Sequence, residues 1–214
     1  MELHVLDHPL VEHKLTVLRD KKHLIRHFPR ARHRTRHARS LRGDPQPRHR
    51  RQAHRNPPSP PWSASTSPAR PPIIVPVLRA GLGMLDGMTK MIPTAEVGFL
   101  GMKRDEEHPT QQITYANRLP EDLTGRQCFL IDPMLATGGT LVTATHYLAE
   151  RGAKDVTAIN IIAAPEGIQY VQDHIDPSIA FKVVVCAVDE KLNEKAYIVP
   201  GLGDAGDRLY GVID

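Results

Sequence analysis

Apolar residues along this chain fall into two regular patterns, separated by a long stretch that follows neither. In residues 8–20, HPLVEHKLTVLRD, Leu10, Val11, Leu15 and Leu18 recur at helical spacing, and Pro9 suits a first turn, so the pattern predicts a short amphipathic helix. From Ile73 onward the pattern changes. IIVPVL reads as a buried strand and GLGMLDGMTKMI as the helix after it. Further strands are predicted at 95–102, 111–117, 127–131, 156–163 and 182–188, with helices at 139–151 and 165–175. Unbroken β-branched runs alternating with helices predict an α/β fold with a mostly parallel, twisted sheet flanked by helices on both faces. Ligands on such a sheet bind at the carboxyl ends of its strands.

The stretch between the two patterns has a different character. Residues 21–72 hold 14 of the chain's 28 Lys and Arg, 6 of its 12 His and 10 of its 19 Pro, with Asp44 as the single acid. The segment therefore carries +13 of a net +4, which leaves −9 on the other 162 residues. Its apolar content is too low to offset the entropy of ordering it, so disorder is expected from about 22 to 71. Two origins are compatible with this composition. An Arg, Pro, His and Ser excess is what GC-rich coding DNA yields out of frame, and compensating frameshifts near codons 21 and 71 would leave a catalytically impaired copy. The segment would otherwise be an arginine-rich arm for nucleic-acid phosphates, but only Phe28 and Trp62 are available to stack on bases, which makes nucleic acid the weaker partner.

At 214 residues the chain suits one domain. No run reaches the length of a membrane span and the N-terminus is unlike a signal peptide, so a cytoplasmic location without membrane partners is expected. Cys128 and Cys186 lie inside apolar runs, where buried, inert thiols are expected instead of zinc or redox chemistry.

The most informative stretch is CFLIDPMLATGGTLVTATHYLAERGA, residues 128–153. An apolar strand runs into Asp132, then into a loop ending Ala136, Thr137, Gly138, Gly139 and Thr140, then into a helix. Adjacent glycines let a backbone turn tightly and expose its N–H groups, and a helix N-terminus favours an anion, which together describe a phosphate cradle. The spacing and lysine of a nucleoside-triphosphate P-loop are missing. A plain capped turn is the alternative reading.

These residues resemble the 5-phosphoribosyl-1-pyrophosphate (PRPP) signature of type I phosphoribosyltransferases, and Asp132 followed by Pro133 is similar to the uracil-specific branch. Three more stretches resemble that branch in the same order: VPVLRAGLGM with Arg79, GFLGMKRDEEHPTQ with Lys103 and Arg104, and YIVPGLGDAGDRLYG near the C-terminus. Without the resemblance, Arg79 could be a solvated loop arginine and Lys103–Arg104 a salted surface turn. The resemblance implies a type I phosphoribosyltransferase fold over residues 73–214, joined by an N-terminal helix within 1–20 and closed by a uracil-binding hood at about 189–214.

It further implies that PRPP is bound by Arg79, Arg104, Asp132, Pro133, Met134, Leu135, Ala136, Thr137, Gly138, Gly139, Thr140 and Asp204. Uracil would meet Ile198, Gly203, Asp204 and Ala205. Asp132 would orient the ribose hydroxyls, and Asp204 would either assist uracil N1 or organise Mg²⁺, itself held mainly by PRPP oxygens. The implied activity is uracil salvage to UMP in a homodimer or higher homo-oligomer, with GTP as a possible activator. An RNA-binding regulator of pyrimidine genes on the same scaffold is the alternative.

Overall fold

A computed structural model of the chain describes residues 1–20, 70–104 and 112–211. The expected disorder between 22 and 71, like the two accounts of its origin, falls outside the described residues up to position 69. In chain order the elements are Glu2–Val5 (β1), Pro9–Arg19 (α1), Ile73–Leu78 (β2), Leu82–Met91 (α2), Glu96–Val97 (β3) and Phe99–Arg104 (β4). They continue with Gln112–Arg118 (β5), Gln127–Ile131 (β6), Met134–Leu135 (β7), Gly139–Ala149 (α3), Asp155–Ala163 (β8) and Pro165–His174 (α4). The last are Ala180–Val188 (β9), Lys191–Leu192 (β10), Ile198–Val199 (β11) and Ala205–Tyr210 (α5).

The main sheet has the order β1-β9-β8-β6-β2-β4-β5, parallel throughout except for the antiparallel pair β4–β5. The expected mostly parallel sheet is thus observed. The central strand β2 has Ile73, Ile74 and Val75 fully buried, as a strand covered on both faces requires. Pro76 is tolerated in this central position because it falls where the neighbour on one side changes: β3 pairs with Ile73 and Ile74, and β4 with Val77 and Leu78. The strand expected at 95–102 is accordingly two strands broken at Gly98, whose N–H donates to the Ile74 carbonyl at 3.0 Å.

One face of the sheet packs Val75, Val77, Leu130, Val156, Ala158 and Val183 against Leu141, Leu148 and Val171 of α3 and α4. Each fully buried Leu or Val there contributes about 1.5–3 kcal/mol. A second, smaller cluster joins Leu15 of α1 to Ile162, Ala164, Ile198, Leu202 and Ala205. In α1, Pro9 occupies the first turn as expected, and the His8 side chain, which the sequence did not single out, caps the helix by accepting from the Leu10 N–H. Only Leu15 of its apolar residues is buried, and Leu10 is 63% exposed, so the inward stripe is narrower than the sequence pattern suggested.

Strand β1 was not foreseen. It is four residues long, exposed throughout, and pairs only with β9, so no alternation distinguishes it. Both cysteines are free; Cys128 is buried as expected, which pushes its thiol up to about 11, whereas Cys186 is only half-buried, and that burial still raises its thiol. On α2, a Cβ added at Gly87 would meet nothing within 4 Å. Gly87→Ala should therefore stabilise the protein by about 0.5–1 kcal/mol, measured as a higher denaturant midpoint with an unchanged slope.

Candidate active site

The carboxyl ends of β2, β4 and β6 open into a cleft of about 820 Å³. Its floor is the loop between β6 and α3. The Asp132 N–H donates to the Ile159 carbonyl at 3.2 Å, and the buried Asn160 amide donates to the Asp132 carbonyl at 2.7 Å, so β8 fixes the point where the acid leaves the sheet. The Pro133 carbonyl accepts from the N–H groups of Ile161 and Ile162 at 2.8 and 3.1 Å. Met134 and Leu135 then run as the short strand β7 beside Ile162 and Ala163.

Gly138 turns the loop into α3 with φ 86°, the left-handed region that favours glycine. A Cβ there would lie 2.7 Å from the Gly167 carbonyl, and a Cβ on Gly167 would lie 2.1 Å from the Ala136 carbonyl. Two glycines thus allow the loop and the start of α4 to touch through backbone alone. What remains is a set of N–H groups at the head of α3 that suits a dianionic phosphate.

Asp132 lines the same cleft as this cradle and lies close enough to Asp204 to feel its charge. Burial is the main influence on its carboxyl and pushes it up to about 7; the Met134 N–H pulls it down, and the Asp204 carboxylate adds a smaller upward push. Asp204 caps α5 by accepting the Asp207 N–H at 2.8 Å. From the other wall, Arg79 Nη2 donates to Asp207 Oδ1 at 3.0 Å, so α5 and the β2–α2 loop meet across the cleft through an ion pair.

Of the residues expected to bind, Arg79, Asp132, Met134, Leu135, Ala136, Thr137, Gly138 and Thr140 line the cleft, as do Gly203, Asp204 and Ala205 of the hood. Pro133 in the loop and Gly139 at the start of α3 are buried and do not line the cleft, and Ile198 sits in the second core cluster with Leu202 and Ala205. Lys103 lines the cleft, whereas the Arg104 side chain lies outside what is described. The cleft also takes in Gln112, Tyr115 and Tyr197, which the sequence did not single out.

Tyr115 was hidden by a bulge. Between β4 and β5 the register runs Gly101↔Ala116 and then Met102↔Thr114, leaving Tyr115 as the extra residue. Its ring lies over Gly101, where a Cβ would come within 2.4 Å of it. Strict alternation cannot anticipate that change of face. Tyr197 had a signal in its place beside Ile198; it follows Ala196, whose φ of 57° is unusual for a residue with a side chain.

The family model for uracil phosphoribosyltransferase matches residues 5–212. A uracil phosphoribosyltransferase from Bifidobacterium longum (strain DJO10A) is 71% identical over 223 residues, covering 100% of both chains. This chain belongs to the uracil phosphoribosyltransferase family. Another member, from Beutenbergia cavernae, is 54% identical over 100% of both chains. Among solved structures, that of the AQ2163 protein from Aquifex aeolicus is similar with a TM-score of 0.72 and 33% identity, covering 98% of each chain. The uracil phosphoribosyltransferase assignment and its type I phosphoribosyltransferase fold agree with the resemblance read from the four motifs. The RNA-binding regulator and the impaired copy find no support in these relatives.

Among the described residues no group of three or more His, Cys, Asp or Glu side chains gathers to hold a metal. Two carboxylates on one cleft nevertheless suit a hard cation that takes most of its oxygens from substrate and water. No helix among the described residues is long and apolar enough to cross a membrane.

Proposed function

We propose that this chain joins uracil to PRPP, forming UMP and pyrophosphate. The observation that supports this best is that one cleft brings together Arg79, Asp132 with Met134–Gly138 and Thr140, and Gly203–Gly206, in the arrangement a three-part substrate needs. The loop ending in Gly138 and the head of α3 take the 5-phosphate. Asp132 accepts from the ribose hydroxyls. Arg79, with Arg104, takes the pyrophosphate, for which Arg79 must leave Asp207. Main-chain groups at Gly203 and Ala205 read the edge of uracil, whose alternating donor and acceptor atoms a rigid loop can match.

In the reaction a bond forms between uracil N1 and ribose C1, the bond from C1 to the pyrophosphate oxygen breaks, and the N1 proton is lost. The site's contribution is to hold nucleophile and leaving group on opposite sides of C1 and to place the Asp132 carboxylate near the positive charge that develops on the ribose. Asp132 and Asp204 would help to hold Mg²⁺ brought in with PRPP, and the cation would supply positive charge to the departing pyrophosphate. Asp204 faces both base and PRPP and is assigned to proton loss from N1 or to organising the cation. A single catalytic domain built from residues 1–20 and 73–214, a cytoplasmic location, a homodimer or larger homo-oligomer and activation by GTP complete the reading, on family resemblance.

The test is base selection. With PRPP and Mg²⁺, the purified chain should convert uracil to UMP and leave cytosine and hypoxanthine untouched. Asp204→Ala should lower kcat by about 100-fold, the scale of losing one electrostatic contact to a transition state. Equal turnover of the three bases, or unchanged kcat in Asp204→Ala, would contradict the assignment.

A further inference from the structure

The last turn of α1 reaches the loop that carries Gly203. Arg19, the final residue of α1, points its fork at Asp189: Nη2 donates to Oδ1 at 2.5 Å and Nη1 to Oδ2 at 2.9 Å. Asp189 is 7% exposed, and its N–H donates to the Ala163 carbonyl at 2.8 Å, so it is anchored to the end of β8. The same Asp189 Oδ2 accepts the Gly201 N–H at 2.8 Å, while Arg19 Nη1 donates to the Gly201 carbonyl at 3.3 Å.

One ion pair therefore holds both polar groups of a single backbone residue. Gly201 itself tolerates no side chain: its φ is 62°, and a Cβ would stand 2.1 Å from the Ile198 carbonyl. One residue further on, Arg208 Nη1 donates to the Leu202 carbonyl at 2.8 Å and also bonds the Leu18 carbonyl. Gly203 follows directly. Neither Arg19 nor Asp189 lines the cleft.

We infer that Arg19 and Asp189 are a positioning pair for the base subsite, holding the backbone at Gly201–Leu202 so that Gly203 and Asp204 present their groups to the base at a fixed height. The identity of the base rests on the proposed function; the loop-holding role does not. Arginine is required because a planar fork engages the carboxylate through two nitrogens and keeps a third contact for the Gly201 carbonyl, whereas a lysine ammonium is a point charge on a flexible stem.

Arg19→Lys keeps the charge and removes the fork. In the full chain it should raise the KM for uracil tenfold or more and leave the KM for PRPP within twofold. Amide exchange at Gly201–Gly203 should accelerate at least tenfold, with the amides of β6 and β8 unchanged. Asp189→Glu, which also keeps the charge, should give the same division and serves if Arg19→Lys does not fold. A merely structural role would shift both KM values together, or speed exchange across the whole sheet. Either result would overturn the inference, as would unchanged exchange at Gly201–Gly203. If the parent chain failed to turn over uracil, the exchange measurement would still decide the positioning role, and the two failures would remain distinct.

Discussion

Replacing Asp132 with Asn is expected to make the empty protein more stable while removing most of its activity. Burial keeps the Asp132 carboxyl protonated up to about pH 7 in the folded chain, against an ordinary value of 3.8. Between about pH 4 and 7 the unfolded chain loses this proton and the folded chain keeps it. Stability therefore falls as pH rises through that window, by about 4 kcal/mol at most from this group. Asparagine has no charge to bury, so Asp132→Asn should flatten the fall, and its advantage over the parent should be greatest above pH 7. Denaturant titrations at pH 5 and pH 8 measure it.

The same burial sets the activity profile. An ionised Asp132 accepts from the ribose hydroxyls better than a protonated one, so kcat/KM for PRPP should rise with pH through an apparent pKa near 7. In Asp132→Asn that rise should vanish and kcat/KM should fall by about 100-fold or more. Full turnover in the variant, or equal stability differences at pH 5 and pH 8, would contradict the role given to this carboxylate.

Gly81→Ala should be among the most damaging single-methyl changes in the chain. The backbone at Gly81 is ordinary, with φ −59° and ψ −24°, so strain in the torsion is not the reason. Space is. A Cβ would stand 2.4 Å from the Ile131 carbonyl oxygen and 2.7 Å from both the nitrogen and the oxygen of Val77, all of them backbone atoms. Relief requires β2 and β6 to part at their carboxyl ends, where Arg79 and Asp132 leave the sheet. The expected loss is about 3 kcal/mol, and the folded fraction should bind PRPP more weakly. Chemical denaturation of Gly81→Ala beside Gly87→Ala makes the comparison: the same chemical change should destabilise at one position and stabilise at the other.

Much of the fold was legible because parallel strands buried on both faces are written as continuous apolar runs. QCFLI matches β6 residue for residue, and IIVPVL matches β2 despite its proline. The phosphate loop was legible because glycine pairs between a strand and a helix have few other uses, and Gly138 does adopt the left-handed backbone such a loop needs. What was hidden depends on partners distant in sequence. Strand β1 exists because β9 offers a free edge, and its own residues are exposed throughout. Tyr115 reaches the cleft only through the bulge opposite Gly101 and Met102. The Arg19–Asp189 pair joins positions 170 residues apart, and nothing local distinguishes either side chain.

Uracil transfer is tested by product stoichiometry with the purified full chain, uracil, PRPP and Mg²⁺ at pH 8. A parallel chain would carry a relative's sequence in place of residues 21–72. UMP and pyrophosphate should form in equal amounts, dependent on both substrates. A well-folded protein, with the replacement or without it, that forms no UMP would contradict it.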